Sequence, residues 1–185
     1  AARFNRETGI LVNHHTYVMA GDGDLMEGVT AEACALAGHL RLGKLIVLYD
    51  DNGVSLAGST GLSFTENIEM RFKSYGWHVH KVKDGNDVSM IDHAIKMAKR
   101  ETDKPSLICI KTTIGCGSPG KQGSCEAHGS PLGADELKNT KAALGWPQES
   151  HFHIPEDVHK FFHMAVNHGR KWERDWKETV DILNR

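Results

Sequence analysis

The sequence predicts an α/β fold, a doubly wound, mostly parallel sheet flanked by helices, and three observations carry that expectation. Short apolar runs alternate along the chain with segments of helical period. The run Leu45-Ile46-Val47-Leu48-Tyr49 is continuously apolar, as a strand covered on both faces must be. Glycine-rich polar turns punctuate the passage from strand to helix, which is the pattern of βαβ units.

Taken in order, Thr16-Tyr17-Val18-Met19-Ala20 is β-prone and stops at the turn Gly21-Asp22-Gly23. Residues 26–42 follow as a helix, with apolar side chains at helical spacing, and Gly43 ends it. Lys44 leads into the apolar strand of residues 45–49, which completes one βαβ unit. Residues 50–63, rich in Gly, Asp, Asn and Ser, read as a long loop. Thr65 stands where it can cap a helix reaching residue 75, and residues 77–82 alternate as a strand does. In residues 88–100, Met90, Ile91, Ala94, Ile95 and Ala98 share one helical face; Pro105 then opens a strand over residues 106–111. Residues 113–131 form a Gly- and Ser-rich loop, Asp135 caps a helix to residue 144, and Pro155 begins a final helical region. The expected organisation is one α/β domain over residues 1–150 and a helical extension over 151–185 that leads to a linker.

Composition narrows the function. The 185 residues suffice for one core. Lys and Arg number 22 against 24 Asp and Glu, a net charge of -2, so no basic excess exists to neutralise a row of phosphates and nucleic acid is not an expected partner. No apolar stretch approaches the roughly 18–20 residues of a membrane span, so no membrane role is expected. Cys34, Cys109, Cys116 and Cys125 form no CxxC pair, and no signal-peptide pattern opens the chain, which together point to a reducing cytosol. The opening Ala1-Ala2-Arg3-Phe4 lacks an initiator Met and runs soon into a strand, so the chain is expected to begin inside a longer protein.

In a doubly wound sheet ligands bind beyond the carboxyl ends of the strands, where the loops of residues 21–28, 50–63 and 113–131 converge. Gly21-Asp22-Gly23-Asp24 lies between a strand and a helix N-terminus, a setting that favours an anion such as phosphate. The Asp22 carboxylate would repel a bare phosphate, so the arrangement makes chemical sense with a divalent cation between them. Asn52 leaves the neighbouring strand at the same edge. Asp22, Asn52 and the Val54 carbonyl, completed by phosphate oxygens and water, would satisfy the six oxygens that Mg²⁺ requires.

At this point the sequence resembles a known family. GDGDLMEGVTAEACALAGHLRLGKLIVLYDDN (residues 21–52) is similar to the thiamine-diphosphate fingerprint, and its EG, LAGHLRLGKLI and YDDN phrases resemble the transketolases in particular. RFKSYGWHV (71–79), DKPSLICIKTTIGCGSP (103–119) and HGSPLG (128–133) agree with it. The resemblance covers residues 4–155 and, more weakly, the last helix. It implies the pyrophosphate-binding domain of a transketolase lacking its N-terminal part, with the thiamine-diphosphate-binding fold. The implied reaction transfers a two-carbon ketol group from a ketose phosphate to an aldose phosphate, with thiamine diphosphate and Mg²⁺ as cofactors and Ca²⁺ or Mn²⁺ as alternative ions.

The resemblance also implies residue roles. Asp22, Asn52 and Val54 hold the metal, and Gly21 and Gly23 let the diphosphate approach the backbone. Leu56 and Ile114 pack on the cofactor rings, and His128 contacts both the diphosphate and the reacting carbonyl region of the substrate. Glu27 and Glu32 resemble carboxylates that link two active sites across a homodimer; read from the residues alone, Glu32 is equally a first-turn Glu favoured by the helix dipole. A pyrimidine-binding domain outside this chain would complete the site, so the chain alone is expected to be inactive. A cytoplasmic enzyme is expected.

Other readings stand beside this one. Dihydroxyacetone synthase, a related ketol transferase, would share the fingerprint, and a non-catalytic remnant would keep the fold without the cofactor. His159 and His163 at i, i+4 could bind a metal but lack a third ligand, and they read as a solvated helix face. Gly115 to Gly120 matches GxGxxG, yet no helix opens there and Pro119 breaks the turn. Trp172 and Trp176 read as the packing face of the last helix.

Overall fold

The computed structural model describes residues 12–56 and 58–183. They divide into two units, one spanning His15–Trp146 and one that takes in residues 147–183.

The first unit is built on a four-stranded, all-parallel sheet. Its strands are β1 (Thr16–Gly21), β2 (Leu45–Asp51), β5 (His78–Val82) and β6 (Ser106–Lys111), in the order β1-β2-β6-β5. Between β2 and β5 in sequence, β3 (Val54–Ser55) and β4 (Gly58–Ser59) form a small antiparallel ribbon. The helices of this unit are α1 (Asp22–Met26), α2 (Gly28–His39), α3 (Ile68–Ser74), α4 (Val88–Arg100), α5 (Glu126–Gly129) and α6 (Ala134–Ala143).

Alternation along the central strands sends side chains to two separate cores. Val47, Tyr49, Leu107 and Cys109 join Leu25 of α1, Ala37 of α2, and Ile68 and Phe72 of α3 on one face. Ile46, Ile108, Ile110 and Val82 join Ala94 and Ala98 of α4 on the other. Helices therefore cover both faces, and the doubly wound parallel sheet expected from the sequence is present. On the first face the Phe72 ring meets Trp77 edge-on at 5.1 Å between centroids, and the Trp77 indole donates to the Cys34 carbonyl at 2.8 Å. Gly38 is obligatory there: a Cβ would lie 1.8 Å from the Tyr75 carbonyl oxygen.

Three local features differ from the sequence reading. The turn at Gly21-Asp22-Gly23 is already helical from Asp22, and the helix expected over residues 26–42 is broken at Glu27, whose extended backbone (φ -63°, ψ 135°) separates α1 from α2. A five-residue helix is not stable by itself. Burial of Leu25, the Arg71 guanidinium donating to the Leu25 carbonyl at 2.9 Å, and the Gly21 amide donating to Asp24 Oδ2 at 2.8 Å hold it. The cap of α3 is Asn67, which accepts the Met70 amide at 3.0 Å, in place of Thr65. Gly133, at φ +89°, stands at the N-cap of α6, so Asp135 lies inside the first turn.

The second unit is dominated by one helix, α7 (Glu156–Leu183). His159 and His163 stack on its surface with ring centroids 6.1 Å apart, and Trp172 and Trp176 are exposed where the sequence predicted a packing face.

Candidate functional site

The carboxyl ends of β1, β2 and β6 gather the polar loops. Register sets Gly21 beside Asp50, Asp50 beside Ile110, and Asp51 beside Lys111. Asp22, at the start of α1, is only 3% exposed. The Tyr49 hydroxyl donates to its Oδ1, and the Gly53 amide donates to its Oδ2 at 3.1 Å. Both donors are neutral, and among the described residues Asp22 forms no ion pair. Burial first, then the hydrogen bond to Asp22, pushes the Tyr49 phenol far above its usual range, so it remains a donor.

The neighbouring loop is fixed from below. The Thr112 hydroxyl donates to Asp50 Oδ1, the Asn52 amide donates to Asp50 Oδ2 at 3.2 Å, and the Val54 amide donates to Asn52 Oδ1 at 2.9 Å. Lys111 pairs with Asp51 at 3.2 Å. Gly53 takes φ +71°, which lets the chain turn so that its amide faces Asp22. A cavity of about 370 Å³ adjoins this group, lined by Asp22, Tyr49, Asp51, Phe64, Asn67 and Cys109 among others. Burial pushes the Cys109 thiol up to about 12, which makes it an inert packing group.

A second group lies in the loop after β6. His128 sits exposed on the four-residue helix α5. Leu56, 76% exposed, brings its Cδ1 within 3.5 Å of where a Cβ on Gly129 would stand, so the β3–β4 ribbon touches this helix. Ile114 is half-buried, and its carbonyl accepts the Gly123 amide at 2.8 Å. At the far side of the loop, Glu136 Oε1 accepts both the Ser118 hydroxyl and the Gly120 amide, the latter at 2.7 Å. Those bonds hold the Glu136 carboxyl below its usual range.

The structure thus brings Gly21, Asp22, Gly23, Asn52 and Val54 to one edge, and Leu56 beside Gly129, which follows His128 in sequence. Glu27 and Glu32 are exposed, the first at the break between α1 and α2 and the second on α2. Sequence reasoning did not single out Tyr49, Gly53 or Thr112. Tyr49 carried a readable signal, because alternation in β2 turns it to the face that α1 covers.

The donor set suits one kind of cation. Among the described residues no three His, Cys, Asp or Glu side chains gather into a metal-holding group. A buried carboxylate and an Asn side chain at the same sheet edge are oxygen donors of the kind that a hard ion takes together with phosphate and water. Zinc and copper prefer nitrogen and sulfur, and the sulfur that lines this cavity, Cys109, is a buried thiol held protonated.

Comparison with known proteins adds a family. Residues 1–184 match the family described as transketolase, thiamine diphosphate binding domain. A transketolase of Halalkalibacterium halodurans is 53% identical over 178 residues, covering 96% of this chain and 27% of that protein. The chloroplastic transketolase of Spinacia oleracea is 51% identical over 177 residues, covering 95% and 24%. Among solved structures, the transketolase of Campylobacter jejuni superposes with a TM-score of 0.91 at 39% identity, covering 97% of this chain and 28% of that one. The transketolase of Pichia stipitis in complex with sedoheptulose 7-phosphate gives 0.87 at 44% identity, covering 93% and 25%. The chain therefore spans about a quarter of the length of these relatives.

Proposed function

The chain belongs to the transketolase thiamine diphosphate binding domain family, and from that premise we propose that it supplies the diphosphate- and cation-holding part of a transketolase. The proposed reaction moves a two-carbon ketol group from a ketose phosphate to an aldose phosphate. In this reading residues 1–150 form the cofactor domain and 151–185 an extension leading to a linker. A pyrimidine-binding domain completes the site within a cytoplasmic homodimer. Among the described residues no helix is long and apolar enough to cross a membrane.

The observation that carries the reading is the buried Asp22 carboxylate, which has two neutral donors and, among the described residues, no cationic side chain paired with it. Ionised and unpaired, such a group is costly to bury; a divalent ion at the open edge removes that cost and recruits the diphosphate. Asp22, Asn52 and the Val54 carbonyl would hold Mg²⁺, or Ca²⁺ or Mn²⁺ in its place, and Gly21 and Gly23 leave room for the diphosphate beside the backbone. Bound thiamine diphosphate supplies the carbanion chemistry. The chain's own residues bind and orient: Leu56 and Ile114 offer apolar surface to the cofactor rings, and His128 donates to the diphosphate and to the reacting oxygen of the substrate. Glu27 and Glu32 are assigned to the subunit interface.

Calorimetric titration of thiamine diphosphate with Mg²⁺ into the chain tests this. Binding is expected to vanish on chelation of the metal and to fall at least about 100-fold in Asp22→Ala. Binding of equal strength in that variant would sink the assignment.

A further inference from the structure

The edge strand β5 carries an imidazole pair on the sheet face opposite to α1 and Leu25. His78, His80 and Val82 alternate toward the face that α4 covers, and Val82 shares a core there with Ala94 and Ala98. The two rings meet edge to face with centroids 4.7 Å apart. His78 Nδ1 hydrogen-bonds with the hydroxyl of buried Ser106 in β6 at 3.2 Å. His80 Nε2, by contrast, is sealed from solvent and has no hydrogen-bond partner among the described residues. Beside this ring a cavity of about 390 Å³ separates strand from helix, lined by His80, Ser89, Met90, His93 and Ala94 among others.

The surroundings offer a proton on His80 nothing to pair with. On β5 the titratable neighbours are His78, on the same face, and Lys81, whose ammonium is paired with Glu69 of α3. β6 sets Ile108 opposite His80, and α4 contributes His93. The carboxylates nearby are committed elsewhere: Asp92 pairs with Lys96, and Glu101, which follows α4 and lies near His78, accepts the Asp103 amide. Burial first, then His78 and His93, pushes the His80 imidazole below its usual range. An imidazolium carries an N–H on both nitrogens, so charging His80 requires a donor at Nε2, where no protein acceptor stands. Parting α4 from β5 would give that N–H water. We propose that His80 is the sensor of an acid-sensitive clasp, by which protonation loosens α4 from the edge strand β5 while the opposite core stays closed. The proposal is independent of the cofactor reading.

A histidine that stays neutral in the closed state and charges in the open one leaves the clasp at full strength above 6.5 and weakens it as pH falls below that value, up to tenfold per pH unit. Hydrogen exchange of the full chain, corrected for intrinsic rate, reads this directly. From pH 7.5 to pH 5.5, protection across β5 and α4 is expected to fall about three- to tenfold, while the Phe72 amide of α3, in the opposite core, changes less than about twofold. His80→Gln and His80→Leu, which cannot titrate, are expected to remove the response. An equal loss at Phe72, no loss at all, or the same response in both variants overturns the proposal. Titration of the His80 ring by NMR in the unsubstituted protein is a measure that needs no variant: the ring is expected to charge below 6.5 in step with the loss of protection, and charging at or above 6.5 overturns the clasp.

Discussion

Two carboxylates in this molecule receive the same pair of donors, a hydroxyl and a glycine amide, and they serve opposite ends. Asp22 takes Tyr49 and Gly53 on separate oxygens, in a setting that leaves it 3% exposed. Glu136 takes Ser118 and Gly120 on the same oxygen, and Lys121 is close enough to favour its charge. The second is a complete latch, because water reaches the carboxylate and a cation stands near it. The first is incomplete, since among the described residues its buried oxygens meet only neutral donors. What distinguishes a candidate ion site from a structural tie is therefore not the hydrogen bonds, which match, but whether the charge is balanced where it is buried.

The largest effect is expected from breaking the platform beneath Asp22. Phe72 is fully buried and packs in the same cluster as Leu25, which anchors the short helix that begins with Asp22. Phe72→Ala should cost about 3–5 kcal/mol of unfolding free energy, read by denaturant titration. A cost below about 1 kcal/mol would mean that α1 is held by its hydrogen bonds to Arg71 and Asp24 more than by this core.

A smaller effect, and one confined to the other region, is expected from His128. Its side chain is exposed on α5, so His128→Ala should leave the thermal midpoint within a degree or two, as surface substitutions do. Losing a donor to a charged group should nevertheless weaken metal-dependent thiamine diphosphate binding about tenfold. Should the thermal midpoint fall along with affinity, His128 would be a structural part of the loop, and the division between the two regions would fail.

How much of this could be read from the sequence follows the same division. The central strands were legible because burial on both faces leaves a continuous apolar signature, and β6 and α4 begin and end where Pro105 and the apolar period put them. The order of the sheet was not legible: β6 inserts between β2 and β5, a choice made by packing that no local pattern records. The break at Glu27 was hidden for a related reason, since Met26 to Leu42 keeps a helical period through it and only the tertiary anchors of Leu25 impose the extended residue. At the site, Asp22 and Asn52 stood out as polar groups in glycine-rich loops, and His128 was reached through the resemblance carried by HGSPLG. Tyr49 and Thr112 did not, because one is the last core residue of a strand and the other an ordinary hydroxyl just beyond a strand, and their roles exist only once the carboxyl ends are side by side.

The smallest expected effect sharpens the comparison most, because it reads the two carboxylates through their two glycine amides. The Glu136 carboxyl sits below its ordinary 4.5, first because the Ser118 hydroxyl bonds to it and next because the Gly120 amide does. A carboxylate whose folded value is depressed contributes stability that is fully present above 4.5 and is lost as pH falls through the folded value. Hydrogen exchange at the Gly120 amide, corrected for intrinsic rate, should therefore hold steady from pH 7 to pH 5 and lose protection below about 4.5. Glu136→Gln, which keeps an acceptor oxygen but loses the charge, should show weakened protection that no longer depends on pH across that range. The Gly53 amide, bonded to the buried Asp22, is the internal reference: it should keep its protection in Glu136→Gln, because the latch and the ion site share no hydrogen bond. Loss of protection at both amides in that variant would show that the loop after β6 and the edge at Asp22 open as one unit, and the contrast between a half-buried tie and a buried carboxylate would then describe one cooperative element instead of two.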